Sequence, residues 1–257
     1  MTLVNYTVRN RVAYITLNRP GKRNALNPDL VNELSNAFAL ASADHLVKVI
    51  VLNANGEVFS AGADLAYLQQ LQNNSYAENV ADSSALRDLF YAIYTSPKVV
   101  IAQVEGHAIA GGCGLVSVCD IIYSVPEAKY GYTEVKIGFI PALVACFLVR
   151  KLGEARTKEL LLTGDLISAE MAVNYGLINF MCDKALIQEK VREHAEKITA
   201  ETSSESIALT KQLLNIAQNL SLEESLVEAV NLNAAARATD DCKRGIAAFL
   251  NKEKITW

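Results

Sequence analysis

Three short apolar runs constrain this chain most: "VKVIVLNA" (Val47–Ala54), "KVVIAQV" (Lys98–Val104) and "DIIYS" (Asp120–Ser124). They are rich in β-branched residues and nearly continuous rather than alternating, the pattern of strands buried on both faces of a parallel sheet. Parallel neighbours cannot be joined by a tight turn, so each pair needs a crossover. Helical spacing appears between the runs, over about Asn79–Thr95 and Gly111–Val118. The alternation predicts a layered α/β core with right-handed crossovers. Upstream, Tyr6–Val8 and Val12–Leu17 read as two strands joined by a turn at Asn10 and Arg11. Asn27-Pro28 then opens a helix, with Asn as cap and Pro where no amide donor is needed. Leu30, Val31, Leu34, Phe38 and Ala41 give that helix one apolar face.

From Pro141 the strand signal fades and helical patterns follow: Ala142–Leu152, Ala155–Thr163, Ala169–Tyr175, Lys184–Thr199, Glu205–Gln218, Leu222–Arg237 and one more from Asp240 to about Asn251. The expected organisation is an α/β core over residues 1–200 and a helical region over residues 201–257. Hydrophobic residues make up 51% of the 257, enough for a sizeable core. The net charge of −4 is spread without a basic stripe, so neither nucleic acid nor an anionic membrane is expected as a partner. The longest uncharged apolar run, Ile137 to Val149, is too short to span a bilayer, which takes about 20 apolar residues. The N-terminal stretch alternates apolar and polar residues, unlike a signal peptide. Five scattered cysteines without a CxxC spacing suit buried thiols in a reducing compartment, and the protein reads as cytoplasmic, with no metal site.

The segment "AIAGGCGL" (108–115) sits between two apolar stretches. As a dinucleotide loop it fails, because Gly112 and Gly114 are followed by Ser117 where a third glycine belongs, and no Walker-type Lys-Ser/Thr follows. Two readings stay open. Small residues let a helix pack closely on a sheet, or the amides of Gly111 and Gly112, unpaired at a helix start, face an oxygen that gains negative charge. A second small-residue turn, "VFSAGADL" (58–65), also follows a buried strand; Ala61, Gly62 and Ala63 leave backbone accessible and Asp64 can cap a helix from Leu65. Two such turns can bring two amides to one oxygen, each donor contributing about 3 kcal/mol to a transition state.

Six pieces in order resemble the crotonase, or enoyl-CoA hydratase/isomerase, superfamily: "NRPGKRNALN" (18–27), "FSAGADL" (59–65), "GHAIAGGCGLVSVCDIIYS" (106–124), "AKYGYTEVKIGFIP" (128–141), "LLLTGDLISAEMAVNYGLIN" (160–179) and "DDCKRGIAAFLNKEK" (240–254). The resemblance implies an α/β fold, a superhelical core of ββα units with a helical C-terminal region that builds a homotrimer or dimer of trimers. It implies an acyl-CoA thioester substrate, with coenzyme A as part of the substrate and no separate cofactor. The thioester oxygen would be held by the amides of Ala63 and Gly111. Backbone near Arg23 and Ala25, and from Ala61 through Asp64 to Leu65, would receive the pantetheine and adenine parts. Phe249 and Lys252 match positions that touch the CoA phosphates of a neighbouring subunit, whereas Asn233 departs from a position that is often aromatic. Asp64 itself reads as a helix cap rather than a catalyst.

Hydratases of this family commonly use two glutamates. One corresponds to Glu134, in "GYTEVKIGF"; the other position is held by Gly114. Glu105 and His107 are weak substitutes, while Ser117, Ser124 and Cys113 lack an activating partner. Glu134 is expected between buried residues that raise its pKa, the alternative being a surface pair with Lys136. One carboxylate suffices to move a proton between the α- and γ-carbons of a dienolate. The overall match thus favours hydratase-type chemistry, and Gly114 favours an isomerase or a weakly active or inactive CoA-binding paralogue. "ALVACFLV" after Pro141 replaces glycine-rich sequence, so Leu143, Val144 and Phe147 either reshape the acyl pocket or repack a core helix.

Overall fold

A computed structural model of the protein describes residues 2–257. Strands β1 (Val4–Arg9) and β2 (Val12–Leu17) form an antiparallel hairpin. Asn10 and Arg11, at φ 49° and 65°, are both left-handed, as a two-residue turn that matches the strand twist requires. β3 (Val49–Ala54) and β4 (Val99–Val104) continue the sheet in parallel. β5 (Ala108–Ile109) leaves it, β6 (Ile121–Ser124) returns, and β7 (Lys129–Gly131) and β8 (Ile167–Ser168) join β5 in a second, three-stranded sheet. The main sheet ends with β9 (Phe180–Met181), in the order β1-β2-β3-β4-β6-β9. The three apolar runs are thus adjacent parallel strands. The expectation that strands end at Pro141 is corrected by β8 and β9, two-residue strands too short to carry a period.

Helix α1 (Pro28–Ala43) covers the hairpin, its Asn27 side chain accepting the Leu30 amide at 3.1 Å and its buried face holding Leu30, Leu34, Phe38 and Ala41. Truncating Leu34 to alanine there is expected to cost about 2–5 kcal/mol. After α2 (Leu65–Leu71), α3 (Tyr76–Thr95) begins earlier than the spacing predicts, at a reciprocal Ser75–Glu78 capping box. α4 (Gly111–Ser117) is almost wholly buried and packs on α5 (Ala142–Thr163). Gly153, at φ 74° and ψ 170°, breaks α5 into the two helices expected from sequence.

The remaining helices are α6 (Ala169–Tyr175), α7 (Ile187–Glu201), α8 (Ser204–Ala217), α9 (Leu222–Ala238) and α10 (Asp240–Asn251). α7 lies on the sheet, whereas α8, α9 and α10 pack on one another. They leave Leu222, Leu226, Val230, Phe249 and Leu250 exposed. Cys113 and Cys119 are buried as expected, but Cys146 is exposed and Cys182 and Cys242 are half-buried, so burial holds for only part of the set. Among the described residues no helix is long and apolar enough to cross a membrane.

Candidate active site

The two small-residue turns lie side by side. Ser60 bridges to Ala108, with the Ser60 amide donating to His107 O (3.2 Å) and the Ile109 amide to Ser60 O (3.0 Å). Gly62 follows at φ 87°, and a Cβ there would lie 2.8 Å from Ala110 Cβ. Both the torsion and the space require glycine. The Leu26 amide donates to Gly62 O (2.7 Å) and the Asp64 amide to Leu26 O (2.8 Å). With the Gly62 carbonyl turned toward Leu26, the Ala63 N–H across the trans peptide faces the opposite way.

Gly111 is aimed by the same logic. Ala110 sits at φ 50° and ψ −126°, held by its amide bond to Gly131 O (2.8 Å), and its carbonyl accepts the Gly114 amide (2.9 Å) along α4. The Gly111 N–H, trans to that carbonyl, points out of the helix start. Among the described residues neither the Ala63 nor the Gly111 amide donates to a protein acceptor. Gly112 does the packing job: a Cβ there would meet Ser60 Cβ at 2.6 Å. The close-packing reading of the glycine segment thus holds at Gly112, and the Gly111 amide beside it is left without a protein acceptor.

The loop before α1 backs the second turn, residues 58–65. Arg23 and Asn24 are left-handed, and buried Asn24 donates to Asn55 O and Val58 O, each at 2.9 Å. The Ala61 amide donates to Arg23 O (3.0 Å), which brings Arg23, Ala25 and Ala61 to one wall beside Ala63. Arg19, which the sequence did not single out, donates to Ala25 O (3.0 Å) and to Asp64 Oδ2 (2.5 Å). Asp64 caps α2 by accepting the Ala66 amide at 2.8 Å, and Leu65 beyond it is exposed. The Arg19 hydrogen bond holds the Asp64 carboxyl below its ordinary pKa.

Glu134 opens a 3-10 turn, Glu134–Ile137, directly after β7. Its Oε2 is buried without a hydrogen-bond partner, and burial raises its pKa. Its sequence neighbours are less enclosed than expected: Ile137 is 70% and Phe139 55% exposed. Lys136 pairs with Asp165 at 2.8 Å instead of with Glu134. The Tyr132 hydroxyl donates to Cys113 O (3.4 Å) and so ties β7 to α4. Glu105 accepts from Gln103 (2.6 Å) and Gln188 (3.3 Å), and His107 Nδ1 accepts the Lys129 amide, so both are occupied structurally. Ser117 bonds back to Gly114 O, and Ser124 accepts the Tyr130 hydroxyl. Burial pushes the Cys113 thiol up to about 12, far from a thiolate nucleophile. At the other end of α4, Lys151 Nζ donates to Ser117 O (3.0 Å) and Cys119 O (2.8 Å).

Gly114 faces a filled space. A Cβ there would lie 2.7 Å from Phe90 Cζ and 2.8 Å from Val144 Cγ1. Phe90 is fully buried in α3, with the Phe147 ring edge-on at 6.3 Å and Tyr94 beyond it, 5.2 Å from Phe147. Val144 and Phe147 therefore belong to the wall behind α4, while Leu143 borders an open surface groove along α3. Phe249 is 83% exposed on α10, and the Lys252 amide closes that helix on Phe249 O (3.2 Å). Among the described residues no hydrogen bond ties either of them to the Ala61–Leu65 turn.

Residues 7–257 match the family model described as enoyl-CoA hydratase/isomerase. A Thermus thermophilus protein provisionally named an enoyl-CoA hydratase is 42% identical over 244 residues, covering 95% of this chain and 96% of the relative. The 2,3-dehydroadipyl-CoA hydratase of Escherichia coli K12 is 31% identical over 245 residues, covering 95% and 94%. Among solved structures, an enoyl-CoA hydratase from Bacillus anthracis superposes with a TM-score of 0.91 at 29% identity, covering 99% and 98%. Sequence and fold agree, and the chain belongs to the enoyl-CoA hydratase/isomerase family.

Proposed function

We propose that the protein acts on an acyl-CoA thioester by enolate chemistry, with the amides of Ala63 and Gly111 as the oxyanion donors and Glu134 as the proton carrier. Glu134 carries the reading: a carboxylate oxygen with no protein partner, kept from water, on the segment bonded to the Ala110 turn. Two N–H groups aimed at one carbonyl oxygen stabilise charge as it develops, and a carboxyl with a raised pKa is suited to take and return a proton. The small side chains of Ala25, Ala61, Gly62 and Ala63 leave backbone open to the pantetheine arm. The exposed apolar residues of α9 and α10 support assembly into a homotrimer or a dimer of trimers, in which Phe249 and Lys252 would reach a neighbour's CoA.

The names of the relatives favour hydration of a 2-enoyl-CoA, and the lone carboxylate favours isomerisation of a 3-enoyl-CoA. Hydration places the charge in a 3-hydroxy enolate and isomerisation in a dienolate, and in both it falls on the thioester oxygen. The test is the absorbance of the conjugated thioester, which falls when crotonyl-CoA is hydrated and rises when a 3-enoyl-CoA is isomerised. Glu134→Gln abolishes either change if Glu134 is the proton carrier. Binding of both thioesters without turnover would instead leave a CoA-binding paralogue.

A further inference from the structure

Gly245 sits inside α10, where glycine weakens a helix relative to alanine and no left-handed torsion calls for it. The Trp257 ring accounts for it: a Cβ on Gly245 would stand 3.0 Å from Trp257 Cη2 and 3.2 Å from Cζ2. The Arg244 guanidinium lies over the same ring, 4.8 Å from its centre. The main chain of Trp257 is held as well. Its amide donates to Ala200 O (3.1 Å) near the end of α7, and its oxygen accepts from Arg11 Nη1 (2.7 Å) in the β1–β2 turn. That end of α7 is itself fixed, because buried Lys48 donates from Nζ to Thr199 O (2.9 Å). One residue thus joins α10 both to the hairpin and to α7.

α10 has little other hold on the α/β core. Of its residues only Ala248 is buried, and it packs on α8 and α9. Its start is tied at the α7–α8 junction, where the Ser203 hydroxyl donates to Asp241 Oδ2 (2.7 Å) and the Asp241 amide to Glu205 Oε2 (3.2 Å). At its far end the chain reverses at Lys252, left-handed at φ 57°, and the Glu253 amide closes the helix on Ala248 O (2.8 Å). Residues 253–257 then run back along α10 until the ring reaches Gly245, so the seat of the ring fixes the reversal.

We propose that Trp257 is a positioning residue for coenzyme A binding: clamped by Arg11, Ala200 and Gly245, it sets where α10 presents Phe249 and Lys252 to a neighbouring subunit's substrate. This rests on the reading of Phe249 and Lys252 given above. The nucleotide end of a CoA thioester carries the phosphates that a lysine attracts, and a pantetheine thioester has none. Loosening the clamp therefore weakens binding of the first and leaves the second unchanged.

The experiment measures, by calorimetry, the affinities of butyryl-CoA and butyryl-pantetheine, saturated thioesters with no double bond to hydrate or shift. Wild type is compared with Trp257→Ala, Trp257→Phe, Arg11→Met, Gly245→Ala and Lys252→Ala. Trp257 is the only tryptophan of the chain, so its fluorescence reads the clamp in Arg11→Met and Gly245→Ala. Both are expected to shift its emission to the red. With Trp257→Ala, they are expected to lower the butyryl-CoA affinity about fivefold at constant butyryl-pantetheine affinity, and Trp257→Phe to recover most of the loss. Lys252→Ala is expected to lower the CoA-to-pantetheine ratio similarly. A wild-type ratio in the clamp variants beside a lowered one in Lys252→Ala overturns the proposal and leaves the reading of Lys252 intact. An equal fall in both affinities, or emission unshifted in both tryptophan-bearing variants, also overturns it. A wild-type ratio in Lys252→Ala overturns the reading of Lys252 together with the proposal, and wild type that binds neither thioester overturns the acyl-CoA reading as well.

Discussion

Arg19→Met removes the guanidinium that binds Asp64 at 2.5 Å and Ala25 O at 3.0 Å. The two side chains are 20% and 9% exposed. Fully exposed pairs contribute at most about 1 kcal/mol, and breaking a deeply buried pair costs about 3–5 kcal/mol. This partly shielded pair falls between, so a loss of about 2–3 kcal/mol is expected in urea denaturation at neutral pH. Asp64→Asn in the same background recovers part of it, because asparagine caps a helix well and needs no counter-charge. The sign with pH follows from the depressed Asp64 pKa. The stabilisation is complete above the unfolded value near pH 4 and disappears as pH falls through the lower folded value, so the variants converge in acid. Because Asp64 immediately follows Ala63, the amide proposed as an oxyanion donor shifts too. A kcat about tenfold lower with KM nearly unchanged is expected, partly restored by Arg19→Lys. A loss below about 1 kcal/mol with kcat intact would refute the idea that this pair sets the Ala63 turn.

Glu134→Gln is expected to lower kcat by about 10²–10⁴, read by single-substrate kinetics. The raised pKa of Glu134 makes its charge unfavourable to the fold above that pKa, so the glutamine variant should melt at or above wild type at neutral pH. That advantage vanishes in acid, where wild type is protonated, and wild-type kcat/KM should decline toward acid around a midpoint above the ordinary glutamate value near 4.3. Ala110→Gly relieves a left-handed torsion that costs about 1–3 kcal/mol but adds backbone freedom worth about 0.5–1 kcal/mol. A slightly higher Tm with a lower kcat, from a less fixed Gly111 amide, is the expected pair of results. Val230→Lys, on the exposed face of α9, should reduce the assembly's mass by light scattering without changing the circular dichroism of the fold.

The parallel sheet was legible because its strands are buried on both faces and so read as unbroken apolar runs. The hairpin and the break at Gly153 were legible from turn chemistry and from a lapse in helical spacing. The start of α3 was available in Ser75 and Glu78, a capping signature that hydrophobic spacing alone passes over. The second sheet was not legible, since strands of two or three residues have no period. At the candidate site, the sequence located the two small-residue turns, while Glu134 and the absence at Gly114 were pointed to only by the family resemblance. It could not show that Phe90, in a different helix, fills the volume, because that is a fact of packing between α3, α4 and α5. The Arg19–Asp64 pair was hidden for the same reason, its partners meeting only when the loop before α1 closes on the second turn.

Lys151 gives α4 an electrical asymmetry. Its ammonium neutralises the carbonyl pole of a seven-residue helix, while the amide pole at Gly111, the proposed oxyanion donor, has no protein acceptor among the described residues. The carbonyl pole lies inside the protein and Gly111 is half-buried, where mobile ions screen less than at the exposed Lys22 and Arg23. Added salt should therefore separate the two halves of the task. If the Gly111 amide acts as proposed, KM for a phosphate-bearing CoA thioester rises as the exposed charges are screened, and kcat stays nearly level.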